Sequence, residues 1–274
     1  MRQVELHHGA ATDVGRVREV NEDAYVAVPP VYAVADGMGG HEGGDVASAI
    51  AVEEFGRLGE AGYDPQHARE AVDAALQAAQ RRILEYADDQ ARHGVDRRRS
   101  AGTTVVAALL VEDRDGPAWL LANLGDSRIY RFGDGRLVQV STDHSLVQEL
   151  LDAGRITPDE VATHPERNVI TRALGDAVGV EADYFVVPLA DAERILLCTD
   201  GVSGMLDDAA MAAILAEAAD PRDAADRLVA AAVAAGGEDN ATAIVVDVVG
   251  TVADDSYDAE RQRASLEEKL GGRS

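Results

Sequence analysis

The sequence predicts an α+β fold in which two stacked, mainly antiparallel β-sheets are flanked by pairs of helices, an αββα sandwich. Two observations indicate this class. Apolar runs of strand length follow one another in series, and segments with helical spacing are inserted in pairs instead of alternating regularly with single strands. Apolar residues make up 46% of the 274 residues, which is enough for a full core.

The first half of the chain contains two groups of strands separated by a pair of helices. Residues 45–58 are predicted to be helical because their apolar residues recur at helical spacing. Residues 65–92 form a longer predicted helix with Pro65 in its first turn, where proline is tolerated. The strands predicted in this half are 4–12, 24–28, 31–35, 103–111 and 118–124.

The second half begins with a hairpin and ends with a helix pair and a final strand. Phe132-Gly133-Asp134-Gly135 is typical of a hairpin turn. Residues 154–175 are polar and interrupted by Pro158 and Pro165, so we expect a mobile excursion with a short helix near 158–162. Further strands are predicted at 127–131, 137–140, 184–188, 194–199 and 241–249, and helices at 146–153, 207–219 and 221–235.

Domain organisation follows from a change in composition near the end of the chain. We expect one domain over residues 1–250 and a flexible charged tail over 251–274, which is rich in Asp, Glu and Arg.

The basic loop Arg97-Arg98-Arg99 is predicted to be a solvated turn. Cys198 lies inside an apolar run, so we expect a core residue and not a catalytic thiol.

The formal net charge of −25 and the pI of about 4.5 limit the classes of partner. Nucleic acid and anionic membranes are poor partners on charge alone, and a phosphorylated substrate is repelled unless metal ions or a local arginine reverse the field. The first residues lack the apolar stretch of a signal peptide, and no run reaches the ~20 apolar residues of a membrane span. We therefore expect a soluble, cytoplasmic monomer.

Four apolar runs end on, or begin just after, an aspartate with a small turn residue beside it. Buried strands that end at carboxylates can direct several negative charges to one place, where the charges repel each other and divalent cations stabilise them. Asp-Gly is also a common turn sequence, so the pattern alone leaves both interpretations open. The aspartates are Asp36, Asp126, Asp200 and Asp239.

Six motifs occur in one order along the chain: Arg18-x-x-x-Glu22-Asp23, Asp36-Gly37-Met38-Gly39-Gly40-His41, Gly102-Thr103-Thr104, Gly125-Asp126-Ser127-Arg128, Asp200-Gly201 and Gly237-Glu238-Asp239-Asn240-Ala241-Thr242. Together they resemble the metal-dependent protein phosphatases of type 2C, in particular the bacterial Ser/Thr branch, over about residues 4–249. The family fold, a β-sandwich flanked by helices, agrees with the α+β prediction. The resemblance implies hydrolysis of phosphoserine and phosphothreonine in proteins with Mn²⁺ or Mg²⁺.

The resemblance also implies a role for each matching residue. Asp36 would bridge two core metal ions, of which Asp200 and Asp239 would hold the first and Glu22 and the Gly37 carbonyl the second. Asp126, together with Asp200, would hold a weaker third ion, and Asp23 would support the ligands. Arg18 would bind the substrate phosphate, so Arg18 and Asp36 are the residues expected to be catalytic.

Two positions depart from the animal relatives. Met38 stands where they carry a histidine proposed as the acid for the leaving oxygen; His41 is nearby, but we favour a metal-bound water as the donor. Gly204 stands where animal relatives supply another carboxylate, so we expect a weaker third site. His144 and His164 are predicted to be polar surface residues.

The partners implied by the resemblance are phosphorylated proteins, namely Ser/Thr kinases and their substrates. The family carries a variable segment beside the metal site at residues 154–175, which we call the flap. Two alternatives to a general phosphatase remain: a phosphoprotein-binding regulator without turnover, and a phosphatase devoted to a single partner, of the anti-sigma antagonist type. The filled ligand positions argue against the first, and the absence of a sensor region argues against the second.

Overall fold

The computed structural model describes residues 3–39, 43–93, 101–114, 116–176 and 179–252. The strands are β1 (Gln3–Asp13), β2 (Asp23–Val28), β3 (Val31–Met38), β4 (Gly102–Thr103), β5 (Val105–Asp113), β6 (Gly116–Leu124), β7 (Arg128–Gly133), β8 (Arg136–Gln139), β9 (Asp183–Pro188), β10 (Arg194–Cys198) and β11 (Ala241–Val252). The helices are α1 (Gly44–Ala61), α2 (Ala68–Arg92), α3 (Leu146–Asp152), α4 (Pro158–Val161), α5 (Asp200–Ser203), α6 (Asp208–Glu217) and α7 (Pro221–Ala235).

These strands form two sheets, and every pairing between them is antiparallel. One sheet has the order β1-β11-β10-β7-β8. The other has the order β2-β3-β5-β6-β9, with β4 paired to β3. The predicted fold class is therefore confirmed: two antiparallel sheets with flanking helices.

Three apolar layers hold the sandwich together. The middle layer lies between the sheets and is built around Tyr32, Trp119 and Ile195. One outer layer packs α1 and α2 on the second sheet, and the other packs α6 and α7 on the first. Because both faces of the central strands are buried, those strands are almost continuously apolar instead of alternating with polar residues. In β3, Tyr32 faces the middle layer while its neighbour Ala33 faces the helices.

Most predicted elements are present, with shifts at their ends. β3 continues past the predicted end at residue 35 as far as Met38, because Gly37 and Met38 pair with β4. Pro65–His67 is a 3₁₀ turn that precedes α2 instead of being its first turn. The short helix α5 was not predicted. The hairpin turn after β7 has positive φ at both central residues, 51° at Asp134 and 69° at Gly135, as a tight hairpin requires.

Some sequence predictions fall outside the described residues: the basic loop Arg97-Arg98-Arg99, His41, and the tail from residue 253 onward. β11 runs to Val252, two residues past the predicted domain end at 250. Cys198 is fully buried, and burial raises its pKa to about 12, so the thiol is an unreactive part of the core. In the described part of the chain, every helix is too short or too polar to cross a bilayer.

Candidate metal centre

Carboxylates from both sheets meet at one end of the sandwich. Asp23 opens β2 and lies directly opposite Asp36 of β3 in the strand register. From the other sheet, Asp200 follows β10 and Asp239 precedes β11, which are neighbouring strands. The Asp36 carboxylate is repelled by the charges of all these aspartates and by Asp126. The structure therefore brings together the aspartates that the sequence placed at separate strand ends.

Hydrogen bonds to β4 and the residue after it fix the position of Asp36. The Asp36 N–H donates to Thr104 Oγ1 over 3.1 Å, and the Asp36 carbonyl accepts from the Thr104 N–H over 2.9 Å. The same carbonyl also accepts from Thr103 Oγ1 over 2.8 Å. The backbone that carries the Asp36 carboxylate is thus held on both sides, which favours a single orientation of the side chain.

Glu22 and Gly37 lie against the N-terminus of α1. The Gly37 N–H donates to the Glu22 carbonyl over 3.1 Å, and Ser48 Oγ donates to the same oxygen over 2.6 Å. A Cβ on Gly37 would lie 2.3 Å from the Gly44 carbonyl oxygen, so only glycine fits here. The Glu22 carboxylate accepts a hydrogen bond from the Gly44 backbone, although burial still raises its pKa.

Asn240 connects the Arg18 loop to the rest of the site. Its Oδ1 accepts from the Glu22 N–H over 2.8 Å, and its Nδ2 donates to the Val14 and Val20 carbonyls over 3.0 Å each. The loop ordered in this way carries Arg18, whose Nη2 donates to Asp239 Oδ2 over 2.7 Å. A cation therefore stands at the edge of the carboxylate cluster, half exposed to solvent.

Asp200 begins α5 and lies within hydrogen-bonding reach of Asp36. A Cβ on Gly201 would lie 1.9 Å from the Asn240 carbonyl oxygen, so glycine lets β11 approach the start of this helix. Thr199, just before Asp200, donates from its Oγ1 to Asp23 Oδ2 over 2.9 Å. Asp23 is thus held by neighbouring hydroxyl groups, as expected of a residue that supports the ligands.

Asp126 follows β6 and lies close enough to Asp200 to be repelled by its charge. Gly125 before it has a φ of 118°, and a Cβ there would lie 2.5 Å from the Thr104 side chain. Arg128 and Asp143 form a partly buried, two-pronged ion pair beside Asp126, with nitrogen–oxygen distances of 2.8–3.0 Å. The charge of Arg128 partly offsets the repulsion that Asp126 experiences from Asp200.

Burial and like charge disturb the ionisation of this cluster. Burial, opposed by hydroxyl hydrogen bonds and reinforced by neighbouring aspartates, raises the pKa of Asp23 to about 7. Burial followed by repulsion from Asp200 raises the pKa of Asp126 to about 7. The pKa values of Asp36 and Asp200 are also raised, with burial as the largest cause. The site is therefore unfavourable for four full negative charges without a compensating cation.

The residues present fit a pair of hard divalent cations. One carboxylate oxygen on each of Asp23, Asp126 and Asp200 is buried without a hydrogen-bond partner. Oxygen ligands of this kind are those that Mg²⁺ and Mn²⁺ prefer. Within the described ranges, no three His, Cys, Asp or Glu side chains are already arranged as an ion-binding group. The fit therefore rests on the donor chemistry and the unpartnered oxygens.

The flap covers one side of this cluster. A cavity of about 410 Å³ is lined by Asp126, Asp200 and Asp239 together with the flap residues Arg167 and Asn168. The other two flap arginines, Arg155 and Arg172, are exposed, and Arg172 also donates to Asp183 over 3.2 Å. The sequence alone does not distinguish these three arginines, because their partners are set by tertiary contacts.

The prediction that His144 is a surface residue was wrong. Its side chain is 4% exposed, and burial lowers its pKa. Asn240 and the Arg128–Asp143 pair were also not assigned a role from sequence. The sequence gives only weak indications of these roles. Asp143-His144 follows a strand, and Arg128 stands two residues after Asp126, but neither spacing indicates which residue the side chain contacts.

Comparison with known proteins shows to which family the sequence is similar. The sequence profile of the family described as Protein phosphatase 2C matches residues 16–235. The serine/threonine phosphatase stp of Listeria innocua is 35% identical over 250 residues, which are 88% of this chain and 96% of that protein. The serine/threonine protein phosphatase PstP of Mycobacterium tuberculosis is 37% identical over 89% of this chain and 45% of its own length.

A solved structure is similar as well. The catalytic domain of PstP in complex with two manganese ions superposes with a TM-score of 0.77 at 34% identity. The match covers 90% of this chain and all of that one. The likeness in fold therefore extends over most of the chain.

The raised pKa values predict how the stability of the metal-free protein depends on pH. A carboxyl whose pKa is about 7 when folded and near 4 when unfolded holds its proton more tightly in the folded state. The stabilisation of the folded state by this tighter proton binding is complete below about pH 4. It is lost as pH rises through about 7, and the free energy of unfolding falls by up to roughly 1.4 kcal/mol per pH unit. Urea unfolding in EDTA should therefore show a lower free energy of unfolding at pH 7.5 than at pH 5.

Substitution isolates this effect from other titrating groups. Asp126→Asn should reduce the loss between pH 5 and pH 7.5, because the side chain no longer ionises. Asp113→Asn is the matched control, since Asp113 is exposed at the opposite end of β5 from the cluster. An identical pH dependence in both variants would contradict the assignment of the raised pKa to Asp126.

Proposed function

The chain belongs to the protein phosphatase 2C family and is a serine/threonine phosphatase, and we propose how its own residues carry out the hydrolysis. The observation that supports the proposal is the set of buried, unpartnered carboxylate oxygens at strand ends of both sheets. We infer that this cluster holds two divalent cations, Mn²⁺ or Mg²⁺, and a weaker third. The two manganese ions in the similar PstP structure support this inference.

The proposed ligands follow the geometry of the strand ends. Asp36, held by β4, would contact both core ions. Asp200 and Asp239, from neighbouring strands of the other sheet, would complete one ion site. Glu22 and the Gly37 carbonyl, at the start of α1, would complete the other. Asp126 and Asp200 would share the third ion, and Asp23 would support the ligands through its hydroxyl contacts.

When bound, the two ions supply an activated water and offset negative charge on the phosphoryl group. Arg18 stands at the edge of the cluster, where its guanidinium can bind phosphate oxygens in a forked geometry. Its present partner, Asp239, would then turn toward a cation. The half-exposed Arg18 also offsets the overall negative charge at the point where a phosphorylated side chain must enter.

We propose that the substrates are phosphoserine and phosphothreonine residues of Ser/Thr kinases and of proteins that such kinases phosphorylate. The net charge of −25 disfavours nucleic acid and anionic membranes as partners. A monomeric, cytoplasmic enzyme remains our expectation. The test is hydrolysis of p-nitrophenyl phosphate and of a phosphothreonine peptide, each in EDTA, Mg²⁺ and Mn²⁺. A regulator without turnover would bind the peptide and release no phosphate in either metal.

Asp36→Asn, Asp200→Asn and Asp239→Asn should each nearly abolish hydrolysis while the fold persists. Each change removes a proposed ligand, and it also relieves repulsion in the metal-free state. The melting temperature in EDTA should therefore hold or rise. Asp113→Asn is the control with the same change of charge. Near-normal turnover of Asp36→Asn at saturating Mn²⁺ would overturn the assignment of Asp36.

Arg18→Ala should raise KM for a phosphopeptide more than it lowers kcat, because Arg18 binds phosphate while other groups supply the nucleophile. The KM of Arg18→Lys should lie between those of Arg18→Ala and the unsubstituted protein, since the lysine ammonium keeps the positive charge but cannot bind two phosphate oxygens in a forked geometry. Stability should change little, because the Arg18–Asp239 pair is partly exposed. Arg227→Ala, which removes an exposed arginine paired with Glu217 on the outer helices, is the control. Unchanged KM and kcat in Arg18→Ala would remove Arg18 from the site.

The flap arginines should matter for proteins more than for small substrates. We expect Arg155→Ala/Arg167→Ala to lower kcat/KM on a phosphoprotein by up to about fivefold, since exposed charges contribute roughly 1 kcal/mol or less. Hydrolysis of p-nitrophenyl phosphate should be nearly unchanged. Arg131→Ala/Arg136→Ala on the β7–β8 hairpin removes the same charge elsewhere. Equal losses on both substrates would mean that the flap supports the metal centre itself.

A further inference from the structure

His144 is a buried histidine that joins two chain segments through backbone hydrogen bonds. The His144 N–H donates to the Gly125 carbonyl over 2.9 Å, and the His144 carbonyl accepts from the Thr171 N–H over 2.8 Å. Gly125 precedes Asp126, and Thr171 belongs to the last part of the flap. One residue therefore lies between the Asp126 turn and the flap.

The imidazole ring makes a second set of contacts that fixes its tautomer. Nδ1 accepts from the Gly125 N–H over 3.1 Å, so it carries a lone pair and no proton. The proton of the neutral ring is then on Nε2, which lies 3.2 Å from Asp183 Oδ2 and donates to it. The ring thus has one acceptor directed at Gly125 and one donor directed at Asp183.

Arg172 of the flap shares the same carboxylate. Its Nη1 donates to Asp183 Oδ1 over 3.2 Å and lies 3.3 Å from His144 Nε2. Because both nitrogens carry protons, they do not bond to each other, and each donates to a different oxygen of Asp183. Asp183 opens β9 and pairs with Asn123 of β6, close to the Asp126 turn. The position of Arg172 is therefore linked through Asp183 to the orientation of the His144 ring.

We propose that His144 is a positioning residue that fixes the Gly125–Asp126 turn and couples it to the flap through Asp183 and Arg172. The proposal deepens the proposed function and rests on it, because Asp126 matters here as a ligand of the third ion. Its consequence is that a cation at Asp126 is bound most tightly when the last part of the flap is in place.

The coupling should be selective for Asp126. The flap also contacts the Asp36 side of the site, where Leu174 exchanges two backbone hydrogen bonds with Thr103 over 2.9 and 3.1 Å. That contact does not involve the His144 side chain. Changes to the imidazole should therefore weaken the Asp126 ion and leave the core ions at Asp36 unchanged.

Two substitutions separate the two ends of the ring. His144→Asn retains an acceptor oxygen near the position of Nδ1, and His144→Gln retains an amide donor near the position of Nε2. In the metal-free full chain, hydrogen exchange of the Gly125 amide reports the Nδ1 contact directly. We expect His144→Asn to keep this amide protected, and His144→Gln to speed its exchange about tenfold or more. Equal exchange in the two variants would overturn the proposed role of Nδ1.

Titration calorimetry of Mn²⁺ binding to the full chain tests the effect on the metal centre. His144→Gln should weaken the weakest ion about tenfold, the lower end of what loss of a residue supporting a ligand causes. The tighter ions should bind as in the unsubstituted protein, and His144→Asn should restore most of the affinity. Weakening of all ions together would overturn the selectivity for Asp126.

Arg172→Ala and Asp183→Asn test the link to the flap without a change in the buried ring, because both side chains are partly exposed. Each should speed hydrogen exchange of the Gly125 amide and weaken binding of the ion at Asp126. When either is combined with His144→Gln, the effect of the double variant should be smaller than the sum of the two single effects. Full additivity would overturn the coupling. Leu215→Ala, a core change in α6, is the control for lost stability alone and should leave Gly125 exchange unchanged relative to its neighbours.

The outcomes for this inference and for the proposed function are distinguishable. If the unsubstituted chain binds no Mn²⁺, the proposed metal centre is wrong, whereas Gly125 exchange still tests the hydrogen bond. If the unsubstituted chain binds Mn²⁺ and the His144, Arg172 and Asp183 variants bind it identically, the metal centre stands and the coupling is wrong.

Discussion

The repulsion among buried carboxylates is the constraint on which this structure depends. Two like charges about 4 Å apart repel by on the order of 4 kcal/mol at an effective dielectric of roughly 20. Asp36 experiences the charges of four other aspartates, and among the described residues the nearby cations are Arg18 and Arg128, at the edges of the cluster. Such a site persists because the rest of the fold holds its backbone in place. The three apolar layers provide that support, and they end where the carboxylates begin.

The backbone around the cluster is held by side chains that are not ligands. Thr103 and Thr104 fix Asp36, Asn240 fixes the loop that carries Arg18, and Thr199 fixes Asp23. Each of these bonds joins segments that are far apart in the sequence. A glycine at position 37 or 201 permits a close approach that any side chain would block. Preorganisation of this kind means that a cation has little structure to rearrange when it binds.

Sequence was sufficient for the fold class because apolar runs are a local pattern. Local pattern also marked the aspartates as strand-end residues, but it left a turn and a metal site both open, and the resemblance to a family joined them in one site. Apolar runs predict buried strands, and an aspartate at a strand end needs no knowledge of its partner. His144 shows why the rest was not predictable. A histidine after an aspartate in a polar stretch has the same local signature whether it is exposed or buried. Its burial depends on Gly125, Thr171 and Asp183, which are 19, 27 and 39 residues away. The helix α5 was missed for a related reason, since four residues are too few to establish a period.

The flap is best understood by the different attachments of its arginines. Arg167 lines the cavity shared with the carboxylates, and Arg155 is exposed, so both are available to an incoming phosphoprotein. Arg172 is bonded to Asp183 and so belongs to the support of the site. In the proposed function, this division lets one part of the flap meet phosphoproteins while the other stays attached to the proposed metal centre. The fixed end, from Thr171 to Leu174, is bonded to the Asp126 turn through His144 and to the Asp36 side through Thr103. A partner that displaces the free part of the flap would therefore act on the carboxylates in two ways: directly, at the cavity that Arg167 lines, and through this fixed end.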